Sequence, residues 1–140
     1  MKDVQGYEKP LPHPTGLSKP FWDALRQHKV LMQYCPQCLK FIFYPRRFCP
    51  GCLNEDLHWR QLSGKGRVHS YTIIRRPSVR GFESEAPYIF AVAELDEGPR
   101  VITNVIDCLP ENIRVGQLVQ AVFEDVTPDT TLLKFRPVGP

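Results

Sequence analysis

Hydrophobic and polar positions alternate in short runs through the second half of the chain, and this pattern predicts five β-strands. Each run is rich in β-branched and aromatic residues and is bounded by turn-forming residues. Asp96-Glu97-Gly98-Pro99 joins the second run to the third as a tight hairpin. Five short strands in about 70 residues fit a small closed barrel, of which the OB-fold is the five-stranded form. The predicted strands are Arg67–Arg75, Tyr88–Leu95, Arg100–Ile106, Gln117–Phe123 and Thr131–Phe135.

Near the N-terminus the spacing of apolar residues changes to that of a helix. Phe21, Leu25 and His28 follow at i, i+4 and i+7, which predicts an amphipathic helix of about three turns. Ser18 is a good N-cap for it. The residues before it show no periodicity and predict an extended arm. The apolar face either packs on the rest of the chain or, through Phe21, Trp22 and Leu25, docks a partner subunit.

Composition narrows the class of protein. The chain has 140 residues, of which 42% are hydrophobic and 24% charged, and this balance is globular. Its 14 prolines argue against a helical bundle, because proline interrupts helices. No apolar run reaches the roughly 18 residues of a membrane span, and the N-terminus has no apolar signal region. We therefore expect a cytoplasmic protein that does not enter a membrane.

The net charge of +3 conceals an asymmetry along the chain. Residues 26–80 contain eleven Lys and Arg but only Glu55 and Asp56, for a net charge of +9. Residues 81–140 contain four Lys and Arg and ten acids, for a net charge of −6. The basic middle predicts an anionic partner such as phosphate groups or an acidic protein face. The acidic end argues against a continuous nucleic-acid footprint.

Two CxxC pairs, Cys35-Pro36-Gln37-Cys38 and Cys49-Pro50-Gly51-Cys52, are separated by ten residues. Each pair directs two thiolates at one ion from a tight turn, so the two turns together supply a tetrahedral set of four ligands. We therefore predict a structural zinc site formed by Cys35, Cys38, Cys49 and Cys52, with no open position for a catalytic water. The chain then divides into an arm and helix (1–33), a zinc ribbon (34–62) and an OB-fold (63–140).

Other interpretations of the cysteines remain open at this point. Disulfides need an oxidising compartment, which the N-terminus does not support. A thioredoxin-like redox pair needs a βαβ unit, which the pattern lacks. Iron in a rubredoxin-like site uses the same four ligands and makes the chain an electron carrier. Cys108 stands apart and is interpreted as a small buried hydrophobe.

The sequence contains none of the motifs that usually indicate an independent active site. It has no glycine-rich phosphate loop, no GxSxG and no HExxH, and the four histidines share no spacing. A binding or assembly module is therefore favoured over an enzyme. The alternative within that class is a nucleic-acid-binding protein, because zinc ribbons and OB-folds both serve that purpose.

Several motifs in one order carry a family resemblance. They are the Phe21–Cys35 run, the two CxxC pairs with Tyr44-Pro45-Arg46 between them, Ser63-Gly64-Lys65-Gly66-Arg67-Val68, Ser70-Tyr71-Thr72, Ala93-Glu94-Leu95-Asp96-Glu97-Gly98 and the Ile113–Val119 segment with Gly116. Together the motifs resemble the zinc-ribbon/OB-fold family of small acyl-CoA-associated proteins, usually encoded beside thiolases. The resemblance covers about residues 18–137. Leu39 and Leu53 depart from it, since many members have glycine there and a Cβ makes a left-handed turn costlier.

The resemblance implies an N-terminal helical segment, a rubredoxin-like zinc ribbon and a C-terminal OB-fold. It also implies a non-catalytic accessory subunit that stabilises a thiolase or thiolase-like enzyme and helps to bind the CoA part of the substrate. Partners of the family act in hydroxymethylglutaryl-CoA synthesis, in steroid side-chain degradation and on benzoylsuccinyl-CoA in toluene degradation.

A CoA ligand gives the basic segment a use, because its pyrophosphate and 3′-phosphate need cationic partners. Arg46, Lys65 and Arg67 fall on motif positions of the family. The full set of predicted CoA-binding residues is Arg46, Arg47, Lys65, Arg67, Arg75, Arg76 and Arg80.

Overall fold

The computed structural model describes Tyr7 and residues 9–139, and these residues fold into one α-helix, eight strands and two short 3-10 turns. The helix α1 spans Lys19–Arg26, and the 3-10 turns span Glu83–Glu85 and Pro110–Asn112. The strands are β1 (Val30–Cys35), β2 (Lys40–Ile42), β3 (His58–Leu62), β4 (Lys65–Ile74), β5 (Tyr88–Leu95), β6 (Arg100–Val105), β7 (Leu118–Thr127) and β8 (Thr130–Pro137).

Strands β1 to β3 form a small antiparallel sheet in the order β2-β1-β3. The central strand β1 pairs on both sides at Gln33, with Ile42 of β2 and Trp59 of β3. β1 ends at Cys35, and β2 begins two residues after Cys38. The first cysteine pair therefore lies in the turn between these two strands.

The last five strands close into a barrel in the order β4-β5-β6-β8-β7. All ladders are antiparallel except the closing contact of β6 and β8, which are parallel and paired at Val105 and Phe135. The prediction of a five-stranded OB-fold barrel is confirmed. A mainly β fold with one helix and a four-cysteine ribbon is likewise confirmed.

The final hairpin is longer than the sequence pattern predicted. β7 continues four residues past Phe123, through two acids that interrupt the apolar alternation. Asp125 accepts a hydrogen bond from the Thr131 hydroxyl at 2.6 Å, and Glu124 lies 2.9 Å from the Lys134 ammonium. Each acid therefore has a partner on β8, and Asp125 also lies 3.2 Å from the Nε2 of His28, so these contacts compensate for the polar interruption.

The Gly64-Lys65-Gly66 segment allows the first barrel strand to approach its neighbours closely. A Cβ on Gly66 would lie 2.4 Å from the backbone oxygen of Glu94, which no side chain can tolerate. Gly64 has a φ of 78° and enters β4 from β3 through a left-handed turn. The glycines therefore fix the point where the ribbon sheet passes into the barrel.

One apolar core extends through both halves of the molecule. Val30, Met32 and Leu62 of the ribbon sheet belong to the same buried cluster as barrel residues such as Val68 and Phe135. A second, smaller cluster contains Cys35, Ile42 and Cys49. The ribbon sheet is thus packed on the barrel, and its outer end is organised around the cysteines.

Helix α1 packs on β1 and on the outer side of β8. It is shorter than predicted because it ends in a Schellman motif, in which the Lys29 N–H donates to Ala24 C=O and the His28 N–H to Leu25 C=O. His28, at a φ of 59°, occupies the left-handed position. Ser18 occupies the N-cap position as predicted, but its side chain does not cap the helix. Its hydroxyl accepts a hydrogen bond from the backbone N–H of Thr15 and none from a helical N–H.

No helix in the part of the chain that the structure describes is both long and apolar enough to cross a membrane.

Candidate functional site: a four-cysteine centre beside a cationic pocket

The two CxxC turns bring their four sulfur atoms together at one end of the ribbon sheet. All four Sγ atoms lie within 4.8 Å of one another, with Cys35 and Cys52 at 3.6 Å and Cys38 and Cys49 at 3.7 Å. These separations are far longer than the roughly 2.05 Å of a disulfide bond, and the cysteines are free. Four sulfurs held about 2.3 Å from a tetrahedral Zn²⁺ lie about 3.8 Å apart, so the cluster has the dimensions of a zinc site.

Both turns have the same backbone geometry. The N–H of the residue after the second cysteine donates to the carbonyl of the first, from Leu39 to Cys35 and from Leu53 to Cys49, both at 2.8 Å. Leu39 and Leu53 have φ values of 56° and 65°. The leucines therefore adopt the left-handed conformation that usually favours glycine, and the turn geometry is kept despite the Cβ.

Backbone N–H groups also point at the sulfurs. Those of Cys38 and Gly51 lie 3.4 Å from the Sγ atoms of Cys35 and Cys49. A Cβ at Gly51 would lie 3.3 Å from the Sγ of Cys38, which is tighter than an ordinary van der Waals contact. The turns thus enclose the sulfurs closely and stabilise negative charge on them.

The electrostatics of the cluster favour a thiolate. Burial opposes ionisation of Cys35, but the backbone N–H of Cys38 and the thiol of Cys52 lower the pKa of Cys35 to about 6. In the same cluster, the thiols of Cys52 and Cys49, followed by burial, raise the pKa of Cys38 to about 12. Without a cation the cluster thus favours one thiolate, at Cys35. A bound divalent cation would deprotonate the thiols that coordinate it.

The donor set fits a structural zinc ion held by Cys35, Cys38, Cys49 and Cys52. Four thiolates complete a tetrahedron, so a bound ion has no position for water and supplies folding energy and not chemistry. Within the described residues these cysteines are also the one group of three or more His, Cys, Asp or Glu side chains close enough to share a metal.

Cys108 lies apart from this centre, half-buried against the barrel core. Burial and the negative charge of Glu111 raise the pKa of its thiol. The thiol is therefore held in its protonated, unreactive form.

A cationic pocket of about 430 Å³ opens between the cysteine turns and the β5–β6 hairpin. Three cations line it, Lys40 from β2, Arg46 from the ribbon loop and Arg100 from β6. Phe41 and Phe43 supply apolar walls beside them. Arg100 forms an ion pair with Glu94 at 3.1 Å. Lys40 and Arg46 form no ion pair with a carboxylate in the described part of the chain.

Arg46 is fixed in place by a buried glutamine. The side chain of Gln33, only 5% exposed, donates from Nε2 to the Arg46 carbonyl at 2.8 Å and accepts the Arg46 N–H at its Oε1 at 2.7 Å. The loop backbone at Arg46 is thereby held against the central strand of the ribbon sheet, while its guanidinium is exposed at the pocket.

The seven predicted CoA-binding residues do not gather at one place. Arg46 lines the pocket, and Arg67 lies in an outward-facing row with Glu94 and Arg100 across three barrel strands, about 10 Å from Arg100. Lys65 is two residues away on the same outer face. Arg47 is exposed beside Phe48, 5.8 Å from its ring.

The other three predicted residues, Arg75, Arg76 and Arg80, follow the end of β4. Arg75 lies eight residues along the chain from Arg67, about 25 Å at the usual rise per residue. None of the three lines the cationic pocket, and CoA binding by them stays a prediction. Sequence reasoning also missed Lys40 and Arg100. Lys40 could have been recognised as a pocket residue from its position two residues after Cys38. Arg100 could not, because it reaches the pocket only through the packing of the ribbon on the β5–β6 hairpin.

The helix face proposed for partner docking is mostly covered by the chain itself. Phe21 and Leu25 are 3% and 0% exposed, because they pack inward towards β1 and β8. These two side chains therefore offer a partner little surface, except where they line a cavity of about 230 Å³ beside Trp22 and Tyr44. Trp22 is half-buried at the surface, where its Nε1 donates to the Tyr44 hydroxyl at 2.9 Å. Partner docking through Phe21, Trp22 and Leu25 stays a prediction.

Comparison with known proteins assigns the family. Residues 22–58 match the model of the ChsH2 rubredoxin-like zinc ribbon domain, and residues 59–124 match the model of the ChsH2 C-terminal OB-fold domain. The chain belongs to the ChsH2 zinc-ribbon/OB-fold family. Its four clustered cysteines lie in the zinc ribbon domain of that family and its closed barrel in the OB-fold domain, so the resemblance seen in the sequence is confirmed.

Relatives of this ChsH2-family chain differ in length and in the role their names give. A DUF35 domain-containing scaffold protein of Methanocaldococcus jannaschii is 35% identical over 125 residues, covering 84% of this chain and 88% of that protein. A probable enoyl-CoA hydratase alpha subunit of Thermomonospora curvata is 34% identical over 121 residues, which span 86% of this chain but 37% of that protein.

Among solved structures, the ChsH2-family fold is similar to a chain of the Ltp2-ChsH2(DUF35) aldolase. The TM-score is 0.80 at 31% sequence identity, covering 90% of this chain and 98% of that chain. The likeness extends over the ribbon and the barrel together.

Proposed function

We propose that this chain is a non-catalytic accessory subunit of a thiolase or thiolase-like acyl-CoA complex, which stabilises its catalytic partner and helps to bind CoA. The observation that carries the proposal is the convergence of Lys40, Arg46 and Arg100 on one cavity beside the cysteine centre. The names of its relatives support the same direction, since they include scaffold proteins, a hydratase subunit and a component of an aldolase.

The cationic pocket has the chemistry that the nucleotide end of CoA requires. Two arginines and a lysine can share the charge of a pyrophosphate and a 3′-phosphate, and arginine binds phosphate through two parallel N–H groups. Phe41 and Phe43 offer apolar surface for an adenine ring. Arg67 and Lys65, on the neighbouring outer face of the barrel, extend the positive surface along which a phosphate can approach.

The zinc ion has an indirect role in this proposal. It holds the two turns that form one wall of the pocket, since Cys38, Cys49 and Gly51 all line it. Zinc therefore shapes the anion site without contacting the ligand.

In this proposal the catalytic groups belong to the partner subunit. The reactions implied by the family resemblance are carbon–carbon bond formation or cleavage on a CoA thioester, including the aldolase step of steroid side-chain degradation and the thiolysis of benzoylsuccinyl-CoA. We expect the partner to contact the surface around Trp22 and Tyr44, which is the uncovered edge of the predicted docking face.

The first experiment measures CoA binding by isothermal titration calorimetry with the zinc-loaded chain. We expect Lys40→Ala and Arg46→Ala each to weaken CoA binding about tenfold, which is the loss of one charge-assisted contact. Arg114→Ala removes an exposed cation that does not line the pocket and should change the affinity less than twofold. Equal effects of all three substitutions would contradict a localised phosphate site.

The second experiment tests the accessory role. The purified chain should show no carbon–carbon cleavage of an acyl-CoA, whereas a thiolase-like partner, isolated with the chain by pull-down, should gain stability and activity when the two are mixed. Turnover by the isolated chain would overturn the proposal. Tight, steeply salt-dependent binding of single-stranded DNA with no binding of CoA would favour a nucleic-acid-binding protein instead.

A further inference from the structure

Two sulfur–sulfur contacts join the two CxxC turns across the cysteine centre. The Sγ atoms of Cys35 and Cys52 approach to 3.6 Å, and those of Cys38 and Cys49 to 3.7 Å. Both contacts run from one turn to the other, and the second is nested inside the first along the chain. A disulfide bond is about 2.05 Å long, so each pair of sulfurs needs to close by about 1.6 Å. The side chains are thus placed for two nested disulfides as well as for a metal ion.

Contacts that involve no metal hold the two turns together. Cys35 ends β1, whose ladder with β2 closes the first turn. The ribbon loop that leads to the second turn is tied to β1 by the two hydrogen bonds between Gln33 and Arg46. Ile42 packs with Cys35 and Cys49 in one buried cluster. The sulfurs therefore stay near one another when a metal ion leaves, which is the condition for forming bonds between them.

The four cysteines differ in their access to solvent. Cys35 and Cys49 are 0% and 3% exposed and Cys38 is half-buried, whereas Cys52 is exposed. Because a thiolate reacts with an oxidant only where the oxidant reaches it, attack begins at Cys52. Cys35 contacts Cys52 from the buried side and is in position to react with its oxidised sulfur. The centre thus combines an accessible cysteine with a second one that can convert it to a disulfide.

We propose that the cysteine centre is a site of reversible oxidation by hydroperoxides, in which the disulfides Cys35–Cys52 and Cys38–Cys49 replace the metal ion. The proposal goes beyond the accessory role and does not depend on it. It assigns a modification to the four cysteines and names which of them reacts first and which pairs form.

Each disulfide consumes one molecule of hydrogen peroxide. The Cys52 thiolate attacks a peroxide oxygen, so that an S–O bond forms, the O–O bond breaks and hydroxide leaves. The Cys35 thiolate then attacks the sulfenic sulfur, an S–S bond forms and a second hydroxide leaves. The two sulfurs together lose the two electrons that the peroxide gains. The same steps at Cys38 and Cys49 remove the remaining thiolates, and a bound zinc ion is released for lack of ligands.

The two cross-turn bonds keep the ribbon closed after the ion has left. Each bond links the first turn to the second and restricts the chain between them in the unfolded state. A disulfide within one CxxC pair closes a loop of only four residues and leaves the two turns unconnected. We therefore expect the oxidised ribbon to remain folded on the barrel, unlike the reduced, metal-free ribbon.

The test treats the zinc-loaded full chain with about two equivalents of hydrogen peroxide, the amount that two disulfides consume. A chromogenic chelator should detect the release of one zinc ion per chain, and the four cysteines should then resist alkylation. Trypsin distinguishes the pairings, because Val30–Lys40 carries the first two cysteines and Phe48–Arg60 the second two. Cross-turn disulfides leave these peptides joined, whereas disulfides within each CxxC pair leave them separate. Fragmentation of the bonds before Pro36 and Pro50 in the mass spectrometer then assigns the nested pairing.

Two controls belong to the same samples. Cys108 lies apart from the centre with a protonated thiol, so it should remain open to alkylation once the treated chain is unfolded. Limited treatment of the untreated, zinc-loaded chain with N-ethylmaleimide tests the point of entry. We expect Cys52 to be modified at least about fivefold faster than the other three ligands, because of its exposure. Equal rates at the four cysteines would contradict the assigned order of attack.

Circular dichroism and thermal unfolding follow the fold. The oxidised chain should keep its β signal and unfold about 10 °C or more above the reduced, metal-free chain. Dithiothreitol together with zinc should restore the original protein. Disulfides confined to each CxxC pair, a cross-turn pairing other than the nested one, sulfonic acids in place of disulfides, or retention of zinc would overturn the proposal. Each of these results leaves the accessory role standing, since none of them concerns CoA or the partner subunit.

Discussion

The side chain of Gln33 and the backbone of Arg46 are joined by two hydrogen bonds of 2.8 and 2.7 Å, one from the amide nitrogen and one to the amide oxygen. The glutamine lies on the central strand of the ribbon sheet and is buried, while the arginine lies thirteen residues later in an exposed loop. A buried amide therefore determines where the loop, and with it one cation of the pocket, stands relative to the sheet.

Replacing this amide should disturb both stability and binding. Gln33→Leu keeps most of the side-chain volume but leaves the Arg46 N–H and carbonyl without their partner, so we expect the free energy of unfolding to fall by about 1–3 kcal/mol. Urea unfolding of the zinc-loaded protein measures this. Gln61→Leu, on an exposed position of β3, is the control and should change the stability by less than about 0.5 kcal/mol.

The cysteine centre should bind one zinc ion per chain. Elemental analysis of purified protein is expected to give zinc, with no visible absorption band of the kind that iron thiolates produce. Cys35→Ser should lower the metal content to well below one ion and unfold the ribbon, because metal binding supplies much of its folding energy. Cys108→Ser should retain full occupancy; loss of metal in that variant would contradict the assignment of the ligands.

The left-handed leucines offer a test of strain in the cysteine turns. Leu39→Gly removes a left-handed penalty of about 1–2 kcal/mol and adds about 0.5–1 kcal/mol of backbone entropy, so we expect a net gain in stability of about 0.5–1 kcal/mol. Leu109→Gly is the control, since Leu109 is 60% exposed with an ordinary φ of −69°. That substitution should destabilise the protein by a similar amount. Thermal unfolding at saturating zinc compares the two.

Close backbone packing should make Gly66 intolerant of any side chain. The Cβ of Gly66→Ala would lie 2.4 Å from the backbone oxygen of Glu94, so β4 and β5 must separate. We expect a loss of about 3 kcal/mol or more, comparable to severe overpacking of a core. Gly16→Ala has no neighbouring atom within 4 Å and should be nearly neutral. Similar stability of the two variants would show that the strands can move apart at little cost.

Asp125 gives the fold one acid-sensitive contact. The hydroxyl of Thr131, followed by His28, lowers the pKa of its carboxyl below the usual value. A lowered pKa in the folded state stabilises the protein above the ordinary pKa of about 3.9, and this contribution is lost as the pH falls through the folded value. Thr131→Val should raise the pKa of Asp125, as followed by NMR titration, and flatten the fall in stability below pH 4. An unchanged pKa would exclude the hydroxyl as its cause.

How far the sequence predicted this molecule depends on whether a feature is local. The barrel strands were predictable because each strand buries one face, so apolar and polar residues alternate along consecutive positions. The predicted strand Tyr88–Leu95 coincides with β5. The metal centre was predictable for the same reason, since each CxxC pair forms within a single turn. The length of the last hairpin was not predictable, because Glu124 and Asp125 find partners on the next strand and Asp125 also contacts His28, just after the helix.

The cationic pocket shows where local reasoning ends. Arg46 and Arg100 are 54 positions apart, and they meet because the ribbon packs on the β5–β6 hairpin. The amphipathic helix presents the same difficulty, since the spacing of Phe21 and Leu25 reveals an apolar face but not what covers it. Burial inside the chain and burial against a partner leave the same pattern in a sequence.

The ribbon sheet and the barrel share one continuous hydrophobic core through Val30, Met32 and Leu62, so the two parts are not independent units. We therefore expect loss of the zinc ion to destabilise the barrel as well as the ribbon, because the strands that the ion organises also cover one side of the barrel. We therefore expect the supply of zinc to determine what fraction of the chains fold completely. Under the proposed role, zinc scarcity would limit an enzyme whose own chemistry uses no zinc.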